Sequence, residues 1–397
     1  MFEYRRVDDL TAVSEMAKSA FAIRCPDHDT VQTWLNQSIA DGRELYGVYE
    51  GDTLLAVYLL YDYRMRLRDS IVPMGGIGLL CSRLDARGKG AARFMIERSL
   101  ETMREKAQVI SVLSPFSQSF YRKYGWEMFS RYQEVEVAPG GLEIPEPRET
   151  DPEYDLVDLP QADDSAMAFY NEHARTHHTL VERSTADWRR RTEVLPWNAD
   201  AAARGVVRVS RDARVVGLIG YSLSRKPDEW PPTYAITLFV YEDASVKRAM
   251  LRYLKRLSHQ IKTLRFELPL DEDLWPYFSD APDKRRIRDM FMARIVSIEA
   301  LEGLAIDAED MSIAVEIADP QAAWNARTWS LAVADGRLHV APADAPADLR
   351  CGIGALSSVL SGFTDFATLI AAERVEPLAS YQGQDLPRVT TFLADYF

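Results

Sequence analysis

A buried strand that leads through a glycine loop into an amphipathic helix is the feature that most limits how this chain can fold. Residues 74–82, MGGIGLLCS, form an apolar run typical of a buried strand. Apolar side chains then recur at helical spacing in residues 83–100, RLDARGKGAARFMIERSL. A second strand is predicted at 108–115, QVISVLSP. The succession of strand, helix and strand predicts a domain of the α/β or α+β class.

The glycine loop has the composition of an anion-binding site. A helix start exposes unpaired N–H groups and carries a partial positive charge, and Gly88 and Gly90 would let the backbone approach a phosphate closely. A Walker loop is excluded because Gly90 follows Lys89 where serine or threonine is needed, and a dinucleotide fingerprint would need a small residue at Arg93. What remains is the pattern R-x-x-G-x-A over residues 87–92. Taken alone, the two glycines fit a ligand-free turn equally well.

The rest of the first domain is also mixed in its predicted structure. Helices are predicted at residues 8–21 and 29–40, and a β-hairpin at 44–66. Residues 119–137 predict a short helix, a glycine stop and a strand. Residues 138–155 are rich in proline and acidic side chains and have little to bury. This segment therefore predicts a linker.

A faded copy of the same pattern follows the linker. A hairpin is predicted at 204–224, and a strand, a helix and a strand are predicted at 235–269. Where the first copy has LDARGKGAA, the second has EDASVKRAM and neither glycine. The second domain is therefore predicted to be degenerate.

A small α+β module completes the chain. Its predicted helices are at residues 288–304, 354–363 and 365–372. Its predicted strands are at residues 311–317, 328–334 and 337–342. The predicted domains are thus 1–145, 146–286 and 287–397. The last residues, RVTTFLADYF, are aromatic, which is unusual for a terminus.

Charge and cysteine usage exclude several classes of function. Acidic residues outnumber basic ones by 60 to 47, and the net charge of −13 opposes binding to nucleic acid or to an anionic membrane. Cys25, Cys81 and Cys351 lie far apart, and the six histidines include no HExxH pattern, so neither disulfides nor a zinc site is expected. The chain has no run of eighteen apolar residues and no signal-peptide pattern at its start. We expect a cytoplasmic protein without a metal.

The strand, the R-x-x-G-x-A loop, the helix, the next strand and the segment FYRKYGW together resemble the acetyl-CoA signature of the GNAT N-acetyltransferases. The resemblance implies acetyl-CoA as cosubstrate, with its pyrophosphate cradled by main-chain amides of the loop. It also implies that the strand before the loop holds the pantetheine arm and the thioester carbonyl, and that the end of the next strand borders the same arm. The implied cofactor-binding residues are Leu80, Cys81, Ser82, Arg87, Gly88, Lys89, Gly90, Ala91, Ala92, Arg93, Phe116 and Ser117.

The layout of the whole chain resembles the Eis (enhanced intracellular survival) subfamily, whose members combine an active GNAT domain, a degenerate GNAT domain and a sterol-carrier-protein-like α+β domain. The resemblance implies primary amines as substrates, aminoglycosides first and polyamines or protein lysines after them. It also implies a homo-oligomer, a hexamer. The loop departs from the best-known members because it has Arg-Gly-Lys-Gly where they carry a run of arginines.

Tyr121 is the candidate general acid of such a transfer. A phenol with a pKa of about 10 stays protonated at neutral pH and can donate a proton to the departing thiolate. The tyrosine at this place in GNAT proteins has that role. The alternative is a core tyrosine with a satisfied hydroxyl, a description that suits Tyr124 better.

The amine must be neutral to attack, and because an alkylamine has a pKa of about 10.4, a base is useful. The Eis resemblance implies that the α-carboxylate of Phe397 folds back into the first domain, as a base or to orient a cationic amine. Its pKa in water is about 3.3–3.7, and burial would raise it. The alternative is a packed terminus with only structural value. The candidates for an amine pocket, which fit simple core packing as well, are Phe21, Asp27, Asp29 and Trp34.

The residue types present indicate how the acetyl group would be transferred. No activated cysteine or serine is evident, and Cys81 lies on the cofactor strand, so direct transfer in a ternary complex is expected. The rival hypothesis is a non-catalytic protein whose third domain carries a hydrophobic ligand while the acetyl-CoA site is vestigial. Retention of Gly88, Gly90 and Tyr121 in the first copy argues against that decay.

Overall fold

The computed structural model describes residues 1–21, 28–192, 201–224 and 230–395. The chain forms two compact units. One consists of Met1–Ser130 together with Met290–Phe397, and the other of Arg131–Asp289. The two ends of the chain therefore share one unit, and the middle of the chain forms the other.

The first unit begins with a mixed sheet. Its strands are β1 (Phe2–Arg6), β2 (Glu44–Glu50), β3 (Thr53–Leu67), β4 (Ser70–Ser82) and β5 (Ile110–Leu113). Its helices are α1 (Leu10–Ala20), α2 (His28–Ala40), α3 (Ala91–Glu105) and α4 (Gln118–Arg122). The strands lie in the order β1 to β5, antiparallel except for the parallel pair β4 and β5. The predicted hairpin and helices are confirmed, whereas β1 was not predicted.

The second unit repeats this arrangement. Its strands are β6 (Glu127–Val137), β7 (Asp155–Leu159), β8 (Ala201–Arg211), β9 (Arg214–Ser224), β10 (Thr233–Tyr241) and β11 (Thr263–Leu268). Its helices are α5 (Asp164–Thr176), α6 (Thr185–Thr192) and α7 (Ala244–Arg256). Strands β7 to β11 lie in sequence order, and again only the last two of them, β10 and β11, are parallel. The predicted second copy is confirmed.

The two copies exchange their last strands. Residues 133–137 of β6, which follow the first copy in sequence, pair with β11. Conversely, β12 (Lys284–Ile295) follows the second copy in sequence, and its residues 292–295 pair with β5. This exchange is why the unit boundaries fall within β6 and β12.

The end of the chain adds a second sheet to the first unit. Its strands are β13 (Met311–Ala318), β14 (Thr328–Ala334), β15 (Arg337–Pro342), β16 (Leu349–Gly352) and β17 (Val375–Pro377), and its helices are α8 (Ile353–Leu360) and α9 (Phe366–Ala371). The strand order is β15-β14-β13-β16-β17. The predicted class, two copies of one mixed domain followed by an α+β module, is confirmed. Within the described residues, no helix is long and apolar enough to cross a membrane.

The helix predicted over 288–304 is wrong. Residues up to Ile295 belong to β12, and only a single 3₁₀ turn forms, at Glu299–Leu301. The reason is that residues 290–296, MFMARIV, are all buried, so both faces of the strand are covered. A continuous buried strand and a buried helix share the same apolar pattern, and periodicity does not distinguish them.

Candidate functional site

The sheet of the first copy opens where β5 ends. Strands β4 and β5 pair only from Met74 with Ile110 to Ile77 with Leu113, whereas β4 continues to Ser82. A bulge lies in this last stretch, where Leu79 has a φ of 51°. In the described chain, no strand pairs with β4 beyond Ile77 on the side of β5. This edge of β4 is therefore not covered by a neighbouring strand.

The predicted pantetheine strand is the stretch of β4 beyond this opening. Leu80 and Ser82 are half-buried, and Cys81 is buried. The burial of Cys81 agrees with a structural role for its side chain.

The glycine loop leaves a helix start without a capping side chain. Gly88 and Gly90 have φ values of 78° and 93°, which favour glycine, and Gly90 is the N-cap of α3. The first hydrogen bond of α3 runs from the Phe94 amide to the Gly90 carbonyl, at 3.0 Å. The main-chain amides before Phe94 are not capped by a side chain. Main-chain amides and the helix dipole at this point favour a phosphate group.

The side chains of the loop add positive charge around this helix start. Arg87 and Lys89 are exposed, and Arg93 pairs with Glu97 at 2.8 Å on the outer face of α3. The Arg87 and Lys89 amides donate within the loop at 3.3 Å and thus hold its shape. Ala91 is buried and Ala92 half-buried, as expected for residues that anchor the helix to the sheet.

The corresponding helix of the second copy, α7, begins with a capping carboxylate. Asp243 is the N-cap of α7, and its Oδ1 accepts the amides of Ser245 and Val246 at 2.8 and 3.0 Å. Arg211 also donates to this carboxylate, at 3.3 Å. A phosphate at this helix start would meet a fixed negative charge and amides that are already hydrogen-bonded.

Replacing Asp243 with alanine is expected to cost about 1 kcal/mol of unfolding free energy through the lost cap. The pKa of Asp243 is lowered to about 2, chiefly by its bond to Ser245. Because the folded pKa lies below the unfolded one, the stabilisation is full above about pH 4 and is lost as the pH falls towards 2. Thermal unfolding of both proteins at pH 7 and pH 3 checks this, since the gap in Tm should narrow at the lower pH.

Tyr121 lies on α4, directly after the second parallel strand. Ser117 caps this helix by accepting the Phe120 amide at 3.4 Å. The Tyr121 ring is 3% exposed and makes edge contacts with Phe116 and Phe120, with ring centroids 5.3 and 5.1 Å away. Phe116 itself is 69% exposed. The helix thus presents one buried phenol beside an exposed aromatic side chain at the end of β5.

The Tyr121 phenol has the properties of a proton donor. Burial raises its pKa, so the hydroxyl stays protonated at every pH near neutrality. Among the described residues, its hydroxyl has no hydrogen-bond partner. A core tyrosine normally has a satisfied hydroxyl, and this departure favours a role towards a bound ligand.

The end of the described chain returns to the first copy. The Leu393 amide donates to Ser130 Oγ of β6 at 3.2 Å, and Leu393, Ala394 and Asp395 are all buried. The predicted base, Phe397, lies outside the described residues, so its position is not tested. The hydrogen bond between Leu393 and Ser130 itself was not predicted.

The predicted amine-pocket residues differ in their exposure. Asp27 lies outside the described residues. Trp34 is buried in the core, whereas Phe21 and Asp29 are exposed at the end of α1 and the start of α2. For Trp34, the packing alternative fits better. Among the described residues, no cluster of histidine, cysteine or carboxylate side chains is arranged to hold a metal ion.

Comparisons with known proteins give the class. An acetyltransferase (GNAT) domain family matches residues 3–129, a second such family matches residues 179–295, and a sterol carrier protein domain family matches residues 298–395. An uncharacterized N-acetyltransferase from Streptomyces avermitilis is 24% identical over 356 residues, which cover 86% of this chain and 85% of that one. The chain is therefore a GNAT-type N-acetyltransferase with tandem GNAT domains and a sterol carrier protein domain.

Solved structures show the same fold over the full length. A GCN5-related N-acetyltransferase from Anabaena variabilis is 18% identical with a TM-score of 0.86, and each chain is covered completely. Eis1 from Mycobacterium abscessus is also 18% identical, with a TM-score of 0.78 and complete coverage of both chains. At these identities the likeness extends to the fold alone.

Replacing Gly90 with alanine is expected to raise KM for acetyl-CoA about tenfold. An added Cβ meets only Phe2, at 3.9 Å, so the cost is backbone strain at a φ of 93°, about 1–2 kcal/mol. Steady-state kinetics measure the change. Gly51→Ala is the matched control, because Gly51 also has a positive φ, of 58°, and open space around it but lies in the hairpin turn. An unchanged KM for Gly90→Ala would remove the loop from the cofactor site.

Proposed function

We propose that this chain transfers an acetyl group from acetyl-CoA to the primary amine of a small molecule, in the first GNAT domain. The observation that carries the proposal is the uncapped start of α3 beside the opened end of β4, with Tyr121 on the next helix. These features supply, in order, a site for pyrophosphate, a backbone track for pantetheine and a proton donor. Functional boundaries near residues 145 and 286 remain part of this proposal.

The reaction is a direct transfer in a ternary complex. The neutral amine nitrogen attacks the thioester carbonyl carbon and forms the new C–N bond. The C–S bond then breaks with its electron pair going to sulfur, and the Tyr121 hydroxyl donates its proton to that sulfur. The nitrogen loses one proton to a base, and the phenolate regains one from solvent. The products are the N-acetylated amine and the free CoA thiol.

The proposed base or orienting group is the α-carboxylate of Phe397. The burial of Leu393, Ala394 and Asp395 against the first unit supports a terminus that ends inside this unit instead of in solvent. In a buried site, the pKa of the carboxylate rises from about 3.3–3.7 and its attraction for a cationic amine grows.

Membership of the Eis subfamily is proposed from the domain order and the terminus, and the structural likeness to Eis1 agrees with it. Aminoglycosides are then the first substrates to try, followed by polyamines and lysine peptides. The net charge of −13 favours such cations. A cytoplasmic hexamer is part of the same proposal.

Thiol release from acetyl-CoA with a panel of an aminoglycoside, a polyamine and a lysine peptide tests the proposal. It is run on the intact chain and on a chain lacking only Phe397. Turnover that collapses on the deletion supports both the enzyme and the carboxylate. Turnover that persists keeps the transferase and rejects the carboxylate. No turnover with any amine, together with a lipid retained by the purified protein, would favour the hydrophobic-ligand carrier.

A further inference from the structure

We propose that the buried ion pair between Arg294 of β12 and Asp319, which follows β13, positions Tyr121 for proton donation. The inference rests on the proposed function. It gives the sterol carrier protein domain an indirect part in catalysis. Asp319, in the loop after β13, fixes Arg294, and Arg294 in turn fixes the turn that follows α4.

The pair itself is fully enclosed. The Arg294 and Asp319 side chains have no exposed surface, and Arg294 Nη2 donates to both carboxylate oxygens at 2.7 and 2.8 Å. Asn325 Nδ2 donates to the same carboxylate at 3.0 Å and to the Val296 carbonyl at 3.1 Å. Asp319 is thus held from two sides, and both of its carboxylate oxygens accept charge-assisted hydrogen bonds from the same guanidinium nitrogen.

The other end of Arg294 holds the turn after α4. Its Nη1 donates to the Tyr124 carbonyl, and its guanidinium lies 5.4 Å from the centre of the Trp126 ring. A Cβ on Gly125 would come within 2.0 Å of Nη1. Gly125 also has a φ of 85°. Both the lack of space beside Arg294 and the backbone conformation therefore favour glycine at this position.

Main-chain hydrogen bonds link this turn directly to Tyr121. The amides of Tyr124 and Trp126 donate to the Tyr121 carbonyl at 2.9 and 3.3 Å, and the Gly125 amide donates to Arg122 at 3.2 Å. Helix α4 spans only five residues, a length that is not stable by itself. Its position is therefore set by what holds its ends, and a shift of Tyr124 moves Tyr121.

A second contact from the C-terminal domain braces the same helix. The buried Glu127 carboxylate accepts from Arg122 of α4 at 2.9 Å and from Arg374 at 2.5 Å. Burial alone would raise the pKa of Glu127, but the Met128 amide and the two guanidinium groups outweigh it and lower the pKa. The turn is thus held by Arg294 of β12, and Glu127 links α4 to Arg374 of the C-terminal domain.

The test is a double-mutant cycle between Asp319 and Tyr121. Asp319→Asn keeps the shape of the side chain but weakens its hold on Arg294, and a displacement of Tyr121 by an ångström lowers the rate up to about a hundredfold. We expect kcat to fall about tenfold, with KM for acetyl-CoA within about twofold. In a Tyr121→Phe background, where no proton donor remains to be displaced, the same substitution should leave kcat unchanged.

Glu316→Gln is the matched control, because Glu316 forms an exposed pair with Arg350 in the same domain. It should leave kcat unchanged in both backgrounds. If Asp319→Asn does not fold, Arg294→Lys serves in its place, since it retains the buried positive charge and loses the two-ended contact. Equal losses with and without the Tyr121 hydroxyl would overturn the inference and leave the pair structural. A wild type without turnover would instead reject the proposed function itself.

Discussion

Tyr121→Phe is expected to lower kcat about a hundredfold while KM for acetyl-CoA stays within about twofold. General-acid catalysis contributes about 10²–10⁴ in rate, and the thiolate leaving group needs the proton only as the C–S bond breaks. The buried ring keeps its contacts with Phe116 and Phe120 in the variant, so binding should change little. Because burial raises the pKa of Tyr121, ionisation of the phenol should not limit the wild-type rate below pH 10.

Steady-state rates of thiol release with the best amine of the panel measure this effect. Tyr124→Phe is the control, since Tyr124 lies on the same turn, is half-buried and packs on Phe120 with ring centroids 5.3 Å apart. It should retain kcat within about threefold. Equal losses for the two variants would mean that packing of the turn matters and the Tyr121 hydroxyl does not.

Arg294→Met is expected to destabilise the first unit by about 3–5 kcal/mol. The substitution leaves the Asp319 carboxylate buried without its partner, and an uncompensated buried charge is among the largest single costs in a folded protein. The double variant Arg294→Met with Asp319→Leu removes the orphaned charge and should recover most of the loss.

Urea unfolding followed by tryptophan fluorescence measures these differences, with Trp126 beside the substituted side chain. The exposed pair of Arg350 and Glu316 supplies the control, because breaking it should cost at most about 1 kcal/mol. A double variant no more stable than Arg294→Met would show that Arg294 contributes through packing on Gly125 and Trp126, not through its charge.

The parts of the site that are local in sequence were predictable. The glycine loop, α3 and the stop at Gly125 each follow from residue types and spacings in the adjoining sequence, where chain geometry leaves few alternatives. The difference between the helix starts of the two copies was only partly predictable. The sequence shows that the second copy lacks both glycines, but not that the Asp243 carboxylate caps the start of α7.

The parts that depend on distant contacts were not predictable. The apolar run at 290–296 fits a helix as well as a strand, and its pairing with β5 decides in favour of the strand. Arg294 lies 170 residues from Tyr124 and 25 from Asp319, and nothing in their local sequences indicates a shared ion pair. The exchange of last strands, which places these residues together, is a property of the whole topology.

We propose that the first copy binds acetyl-CoA and that the second does not. A calorimetric titration of the purified protein with acetyl-CoA tests it most directly. One site per chain, weakened by Gly90→Ala and untouched by Asp243→Ala, is the predicted result. Two sites per chain, no site, or a site that survives Gly90→Ala but is lost with Asp243→Ala would show that the first copy is not the sole acetyl-CoA site.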